Sequence, residues 1–308
     1  LLGLCALAMA NAAGASEITH LMRFADLHGD MVVFTYEGDL WLADTGGGDA
    51  RRITSHPGNE ANAKFSPDGT QLAFTASYDG GNDVYVMDVR GGEPRRLTWH
   101  PAGDQVLDWH PDGERVLFRS NRVWPNREFE TYLVSVHGGL PERLPLDRGG
   151  LASVSPDGSK VVYNRISREA RTWKRYQGGM AQDVWLADLN DGSIVKLTDW
   201  PGSDNFPMWH GESVVFNSDR EDGKLNLYLM NTDGSGVRRL TRHTDYDVKY
   251  PSMGDGGRVI YQNAAQLHVL DLGTRVSTPL DITIRSDRPR FREDFVEALP
   301  SVVEAAGQ

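Results

Sequence analysis

The 308-residue chain has a single cysteine, Cys5, so no disulfide can form within it. It also lacks any apolar run of the ~20 residues that a membrane-spanning helix needs; the longest, Leu1–Ala10, falls well short. Positive charge is in deficit: 32 Lys and Arg against 43 Asp and Glu leave a net charge of −11. A field of that sign repels nucleic acid and anionic lipid, and neither is expected as a partner. No 11-residue stretch carries a convincing 3.6-residue apolar period. The familiar catalytic signatures are missing too. There is no HExxH, paired CxxC or GxxxxGK[ST], and the nearest approach to GxSxG, Gly234-Ser235-Gly236, reads as a hairpin turn. No metal and no cofactor is expected.

What the chain does have is turns and short strands. Its 33 glycines and 15 prolines are too few for low-complexity sequence but enough for many tight connections. Three kinds of segment recur in fixed order. A turn motif appears as FSPDG at Phe65–Gly69, WHPDG at Trp109–Gly113 and VSPDG at Val154–Gly158, with weaker copies at Trp209–Glu212 and Gly254–Gly257. An apolar strand follows: MVVF at Met31, QLAF at Gln71, RVLF at Arg115, KVVY at Lys160, SVVF at Ser213 and RVIY at Arg258. Then comes an alternating strand: DLWLAD at Asp39, DVYVMD at Asp83, TYLVSV at Thr131, DVWLAD at Asp183, NLYLMN at Asn226 and QLHVLD at Gln266. Most units close on a short segment such as RRIT at Arg51 or RRLT at Arg95 and Arg238. Pro67, Pro111 and Pro156 recur at about 44–45 residues, the period of a propeller blade. The chemistry of the turns agrees: Pro fixes φ, Asp bonds its own backbone and Gly accepts positive φ.

These observations predict an all-β fold, a six-bladed β-propeller over residues 20–284 with about four strands per blade. Blade boundaries fall near Ser55, Trp99, Asp147, Asp199 and Arg242. Residues 20–27 would supply the innermost strand of blade one, and the chain from Leu272 to about Ile284 the outermost strand of blade six. On that count no closing strand is shared across the seam, and the ring closes by side-chain packing only. Leu1–Ala15 reads as an incomplete signal peptide, an apolar core followed by Ala-x-Ala patterns, which implies a periplasmic or secreted protein. Leu4 stands before Cys5 where a lipid-anchor signal wants a small residue. Residues 285–308 read as a linker or truncated tail.

Four stretches are more specific than the repeat: FADLHGDMVVFTYEGDLWL at Phe24–Leu42, RTWKRYQGGMAQDVWL at Arg171–Leu186, DWPGSDNFPMWHG at Asp199–Gly211 and TRHTDYDVKYPS at Thr241–Ser252. Together they resemble the N-terminal six-bladed propeller of the tricorn proteases, from about His20 to Arg290. The resemblance implies a serine protease that degrades oligopeptides. Its seven-bladed propeller, PDZ-like domain and protease core would all lie outside this chain, and it would be a homo-oligomer at full length. The propellers of that family act as narrow peptide channels without a shared closing strand. A basic pair early in blade three is associated with substrate C-termini in archaeal members. Pro101–Asp108 has no basic residue, so that role does not carry over.

Two groups of residues stand out as candidates for contact. The insertion in blade four carries Arg171, Trp173, Lys174, Arg175 and Tyr176, a basic and aromatic run in an acidic protein. Such residues grip carboxylates and populate interfaces. The loop is expected to project from the ring toward a peptide, another domain or a subunit; a solvated loop with Trp173 packed down is the plainer alternative. Glu60, Asp104, Asp204, Asp245 and Asp247 lead into the inner strands. They would make one channel mouth negative and favour cationic or N-terminal ends of peptides, or else be solvated turn residues. His56, His100 and His243 recur after the fourth strand as repeat positions too far apart to share an ion. No catalytic residue is assigned within the chain. Two other readings stay open: a stand-alone TolB-like propeller that binds proteins and catalyses nothing, and the propeller of a prolyl-oligopeptidase-type enzyme.

Overall fold

The computed structural model describes residues 20–123, 128–169 and 174–286. These form six antiparallel four-stranded sheets, each built from one contiguous stretch of chain in the order inner, second, third, outer strand. The inner strands are Arg23–His28, Glu60–Phe65, Asp104–Trp109, Ala152–Val154, Asp204–His210 and Val248–Met253. The outer strands end between Arg52 and Pro279 at the places where the repeat turns over to the next blade.

The two-sided burial of the second strands explains their sequence. Val32-Val33-Phe34, Val116-Leu117-Phe118 and Val214-Val215-Phe216 are fully buried on both faces, because each blade is stacked between two neighbours. The apolar side chains fall into six cores, one between each adjacent pair of blades. A single blade leaves both faces open, so stability comes from the ring. Trp109 and Trp209 add a polar tie: their indole N–H groups donate to the carbonyl oxygens of Lys64 and Ser153 in the preceding blade, both at 2.9 Å. The Pro-Asp-Gly turns are locked from within. Ser66 and Thr70 both donate to the Asp68 carboxylate, and Gly69 sits at φ +71° beneath the imidazole of His28 from the blade before. Asp44, Asp88, Asp188 and Asp271, which end the third strands, each accept a backbone N–H two or three residues on. They are turn-forming residues, as their recurrence suggests.

The seam departs from the expectation of side-chain packing alone. Blade one is closed by its own four strands, so no strand is borrowed. Beyond the outer strand of blade six, however, Ile282–Thr283 pairs in parallel with Gly48–Asp49 of blade one. Gly48 N donates to Asp281 O at 3.0 Å and Ala50 N to Thr283 O at 2.8 Å. The cause is hydrophobic: Leu280 and Ile282 are buried in the core shared by blades one and six, which holds the backbone against the edge of blade one.

Candidate axial channel

Five of the six inner strands carry an irregularity that aims side chains at the axis; Ala152–Val154 of blade four pairs in unbroken register. In blades one, two, three, five and six the register against the second strand slips by one residue. At the bulge, Phe24, Asn62, Phe206 and Tyr250 adopt φ of +48 to +53°. For a non-glycine residue that costs about 1 kcal/mol or more, which the surrounding sheet must offset. The result is an aromatic collar: Phe24 and Tyr250 have ring centroids 4.6 Å apart, and Phe206 stands 6.2 Å from Tyr250, edge-on.

Two residues further along each strand lies a polar girdle of equivalent positions: Asp26, Lys64, Asp108, Ser153, Met208 and Ser252 in ring order. Asp26 is its anchor. It accepts from Phe65 N at 2.8 Å, from the Ser252 hydroxyl, and from Lys64 Nζ at 3.5 Å. Lys64 reaches past it to Ser252. On the opposite wall Asp108 accepts from Trp109 N at 2.8 Å and faces Ser153. Burial pushes the Asp108 carboxyl up to about 6; Lys64 pulls it down and Asp26 raises it further. Collar and girdle enclose a cavity of about 240 Å³ lined by the inner strands of all six blades.

Above the collar is the mouth. Arg119 on the second strand of blade three holds Gln105 Oε1 at 3.0 and 2.7 Å and reaches the blade-four insertion through Ser167 Oγ at 3.1 Å and the Glu169 carboxylate. From the other end of the insertion, Lys174 pairs with Asp247 of blade six at 2.6 Å. A second cavity of about 110 Å³ lies beneath, bordered by Arg168, Lys174 and Arg175 on the insertion side and by blades five and six on the other.

The described ends of the insertion therefore turn inward over the mouth, where the sequence suggested projection. The reason is ionic: Glu169 finds its partner on the neighbouring blade three and Lys174 on blade six. Lys174 and Arg175 line the smaller cavity and Tyr176 is half-buried. Arg171 and Trp173 lie outside the described residues. Of the five acids, Glu60, Asp104 and Asp204 are fully buried. Glu60 accepts from Thr54 Oγ1 at 2.9 Å. Asp104 takes both its carboxylate oxygens to Arg122 at 2.9 and 2.7 Å, and Asp204 likewise to Arg220 at 3.1 and 2.9 Å. Burial raises the Asp204 carboxyl against the pull of Arg220. Asp247 borders the smaller cavity and Asp245 is exposed. His56 and His100 accept backbone N–H groups of their own loops, while His243 lies against Tyr261 and His268. Among the described residues no three His, Cys, Asp or Glu side chains gather as a metal site would need.

The residues that line the axial cavity share no pattern in the sequence. The two Arg–Asp pairs were legible in principle, since SNR at Ser120–Arg122 and SDR at Ser218–Arg220 close the second strands of two blades whose inner strands begin with Asp. Asp26, Lys64 and Asp108 gave no such signal, because only the bulges align them.

The family model described as the tricorn protease N-terminal beta propeller domain matches residues 19–276. Tricorn protease homolog 1 of Streptomyces coelicolor is 38% identical over 264 residues, which cover 81% of this chain and 23% of that protein. The tricorn protease homolog of Saccharolobus solfataricus is 31% identical over 285 residues, 92% of this chain and 26% of that protein. The chain thus spans about a quarter of the length of these relatives. A crystal structure of the tricorn protease superposes with a TM-score of 0.77 at 26% identity, over 87% of this chain and 27% of that one. A TolB structure from Agrobacterium tumefaciens, at 19% identity and a TM-score of 0.62, shares the fold. Six contiguous four-stranded blades around an axial cavity, matched along nearly their whole length by the family model, place the chain in the tricorn protease family as its N-terminal propeller.

Proposed function

We propose that this chain is the channel-forming N-terminal part of an exported tricorn-like serine protease that degrades oligopeptides, and that peptides pass along its axis. The observation that carries this reading is the axial cavity, which is lined by the inner strands of all six blades. An aromatic collar above a girdle of two carboxylates, one ammonium and two hydroxyls suits an extended peptide, which is apolar in its side chains and polar along its backbone. Lys64 offsets the charge of Asp26, which avoids holding a passing chain too tightly. Export rests on the composition of Leu1–Ala15. The catalytic machinery belongs to the further propeller, PDZ-like and protease domains of the full-length protein, which assembles from several copies.

The test uses the full-length gene product. It should hydrolyse fluorogenic oligopeptides, lose that activity to a serine-directed inhibitor, and slow at least tenfold on ten-residue peptides when Ser153→Trp fills the girdle. A full-length protein that hydrolyses no peptide, or a plugged variant as fast as wild type, overturns the reading. The chain of residues 1–308 alone should cleave nothing.

A further inference from the structure

The smaller cavity, between blades five and six at the rim of the channel, has a floor of acceptors without donors. Ser203, Asn205 and Asn217 line it and are at most 3% exposed. Ser203 Oγ, Asn205 Oδ1 and Asn217 Oδ1 have no hydrogen-bond partner among the described residues. The orientation of both amides is fixed, because their NH₂ groups are already committed: Asn205 Nδ2 donates to Gln182 Oε1 at 3.0 Å and Asn217 Nδ2 to Val248 O at 2.9 Å. What is left over in each case is the carbonyl oxygen. Buried polar atoms without partners are rare in folded proteins, and two amide oxygens beside a hydroxyl around one cavity call for a donor.

Asp219 gives the floor its charge. Its carboxylate is 8% exposed and accepts from Trp200 Nε1 at 2.8 Å and Ser203 N at 2.9 Å, with no cation in ion-pair range among the described residues. Asp247 completes the set. It is met by Lys174 Nζ at 2.6 Å, from a side chain that is 59% exposed and therefore easily exchanged.

We propose that this cavity binds the free α-ammonium group of a peptide, and that Lys174 of the insertion stands in for that group until the peptide displaces it. This rests on the channel reading for the source of the ligand. An ammonium has three N–H donors and one positive charge, which is what the floor of amide, hydroxyl and carboxylate oxygens lacks. Lys174 already shows that an ammonium fits against Asp247. The volume of about 110 Å³ suits one end of a chain rather than a long segment. Glu169, Phe206 and Tyr250 border both cavities, so a peptide held by its N-terminus here continues directly into the axial cavity. Arg168 and Arg175, on the insertion side, are placed to donate to the first peptide carbonyls.

The experiment is calorimetric titration of the 308-residue chain with tetra-alanine and with N-acetyl-tetra-alanine, beside thermal melts. Free peptide should bind at least tenfold tighter than the acetylated one. Ser203→Ala should weaken it about tenfold at unchanged thermal midpoint, since that hydroxyl has no protein partner to lose. Asp219→Asn should weaken it as well, and Lys174→Ala should strengthen it. Equal affinity for both peptides, binding of neither, or an effect of sodium or calcium chloride on the melt that replaces the peptide's would overturn the proposal. So would a Lys174→Ala variant no tighter than wild type. The full-length protein separates this from the channel reading: equal turnover of free and acetylated peptides refutes the ammonium site alone, whereas selective binding without any hydrolysis refutes the protease reading alone.

Discussion

Arg220→Ala offers the sharpest test of how the blades are held. Asp204 opens the inner strand of blade five and is fully buried, with both carboxylate oxygens on Arg220 Nη2 at 3.1 and 2.9 Å. The same guanidinium lies 5.1 and 5.2 Å from the ring centroids of Phe216 and Tyr228. Removing one partner of a buried pair leaves an uncompensated charge and costs about 3–5 kcal/mol, to which the lost ring contacts add about 0.5–1 kcal/mol. For a chain of this size that is a fall in thermal midpoint of roughly 6–12 °C. The deficit should also depend on pH. Burial already raises the Asp204 carboxyl above its ordinary value, so the folded state holds that proton more tightly than the unfolded chain does. Its contribution is therefore most favourable below the unfolded value and is lost as pH rises through the folded one. Without Arg220 the folded value climbs further. Denaturant melts of wild type and variant near pH 7.5 and near pH 5 should show the gap narrowing at the lower pH. A deficit under about 1 kcal/mol near pH 7.5, or the same deficit at both, would refute the argument.

Arg122→Ala should reproduce this loss in blade three, where Asp104 is equally buried, and combining it with Arg220→Ala should be additive in melts because the two pairs share no residue. Carboxyl resonances should give Asp108 a midpoint near 6, raised in Lys64→Met and lowered in Asp26→Asn, as the signs of those neighbours require. Gly47→Ala should loosen the seam, since its Cβ would stand 2.7 Å from Asp281 O at a φ of +85°; faster hydrogen exchange at the Ala50 amide would report it. Gly69→Ala should destabilise by about 1–2 kcal/mol in melts, through positive φ and a Cβ 2.2 Å from the His28 ring, and His28→Ala should relieve part of that loss.

The sequence by itself determined the number of blades, their strand order and their boundaries. Those depend on local chemistry: Pro-Asp-Gly turns, β-branched and aromatic runs, and a period that only a ring of equivalent sheets satisfies. The placement of acids at the start of inner strands was legible as well, but not their state. Asp104 and Asp204 are neutralised by arginines about 16–18 residues along, a pairing set by hairpin length rather than by adjacency. The tertiary structure alone decided the seam, where burial of Leu280 and Ile282 draws Ile282–Thr283 into backbone pairing with Gly48–Asp49. It also decided the axial cavity. Asp26, Lys64, Asp108, Ser153, Met208 and Ser252 are unlike in chemistry and far apart in sequence, so no pattern in the chain links them. They meet because the six inner strands stand around one axis, five of them turned by a bulge, and a girdle of six side chains exists only once six strands have closed around it.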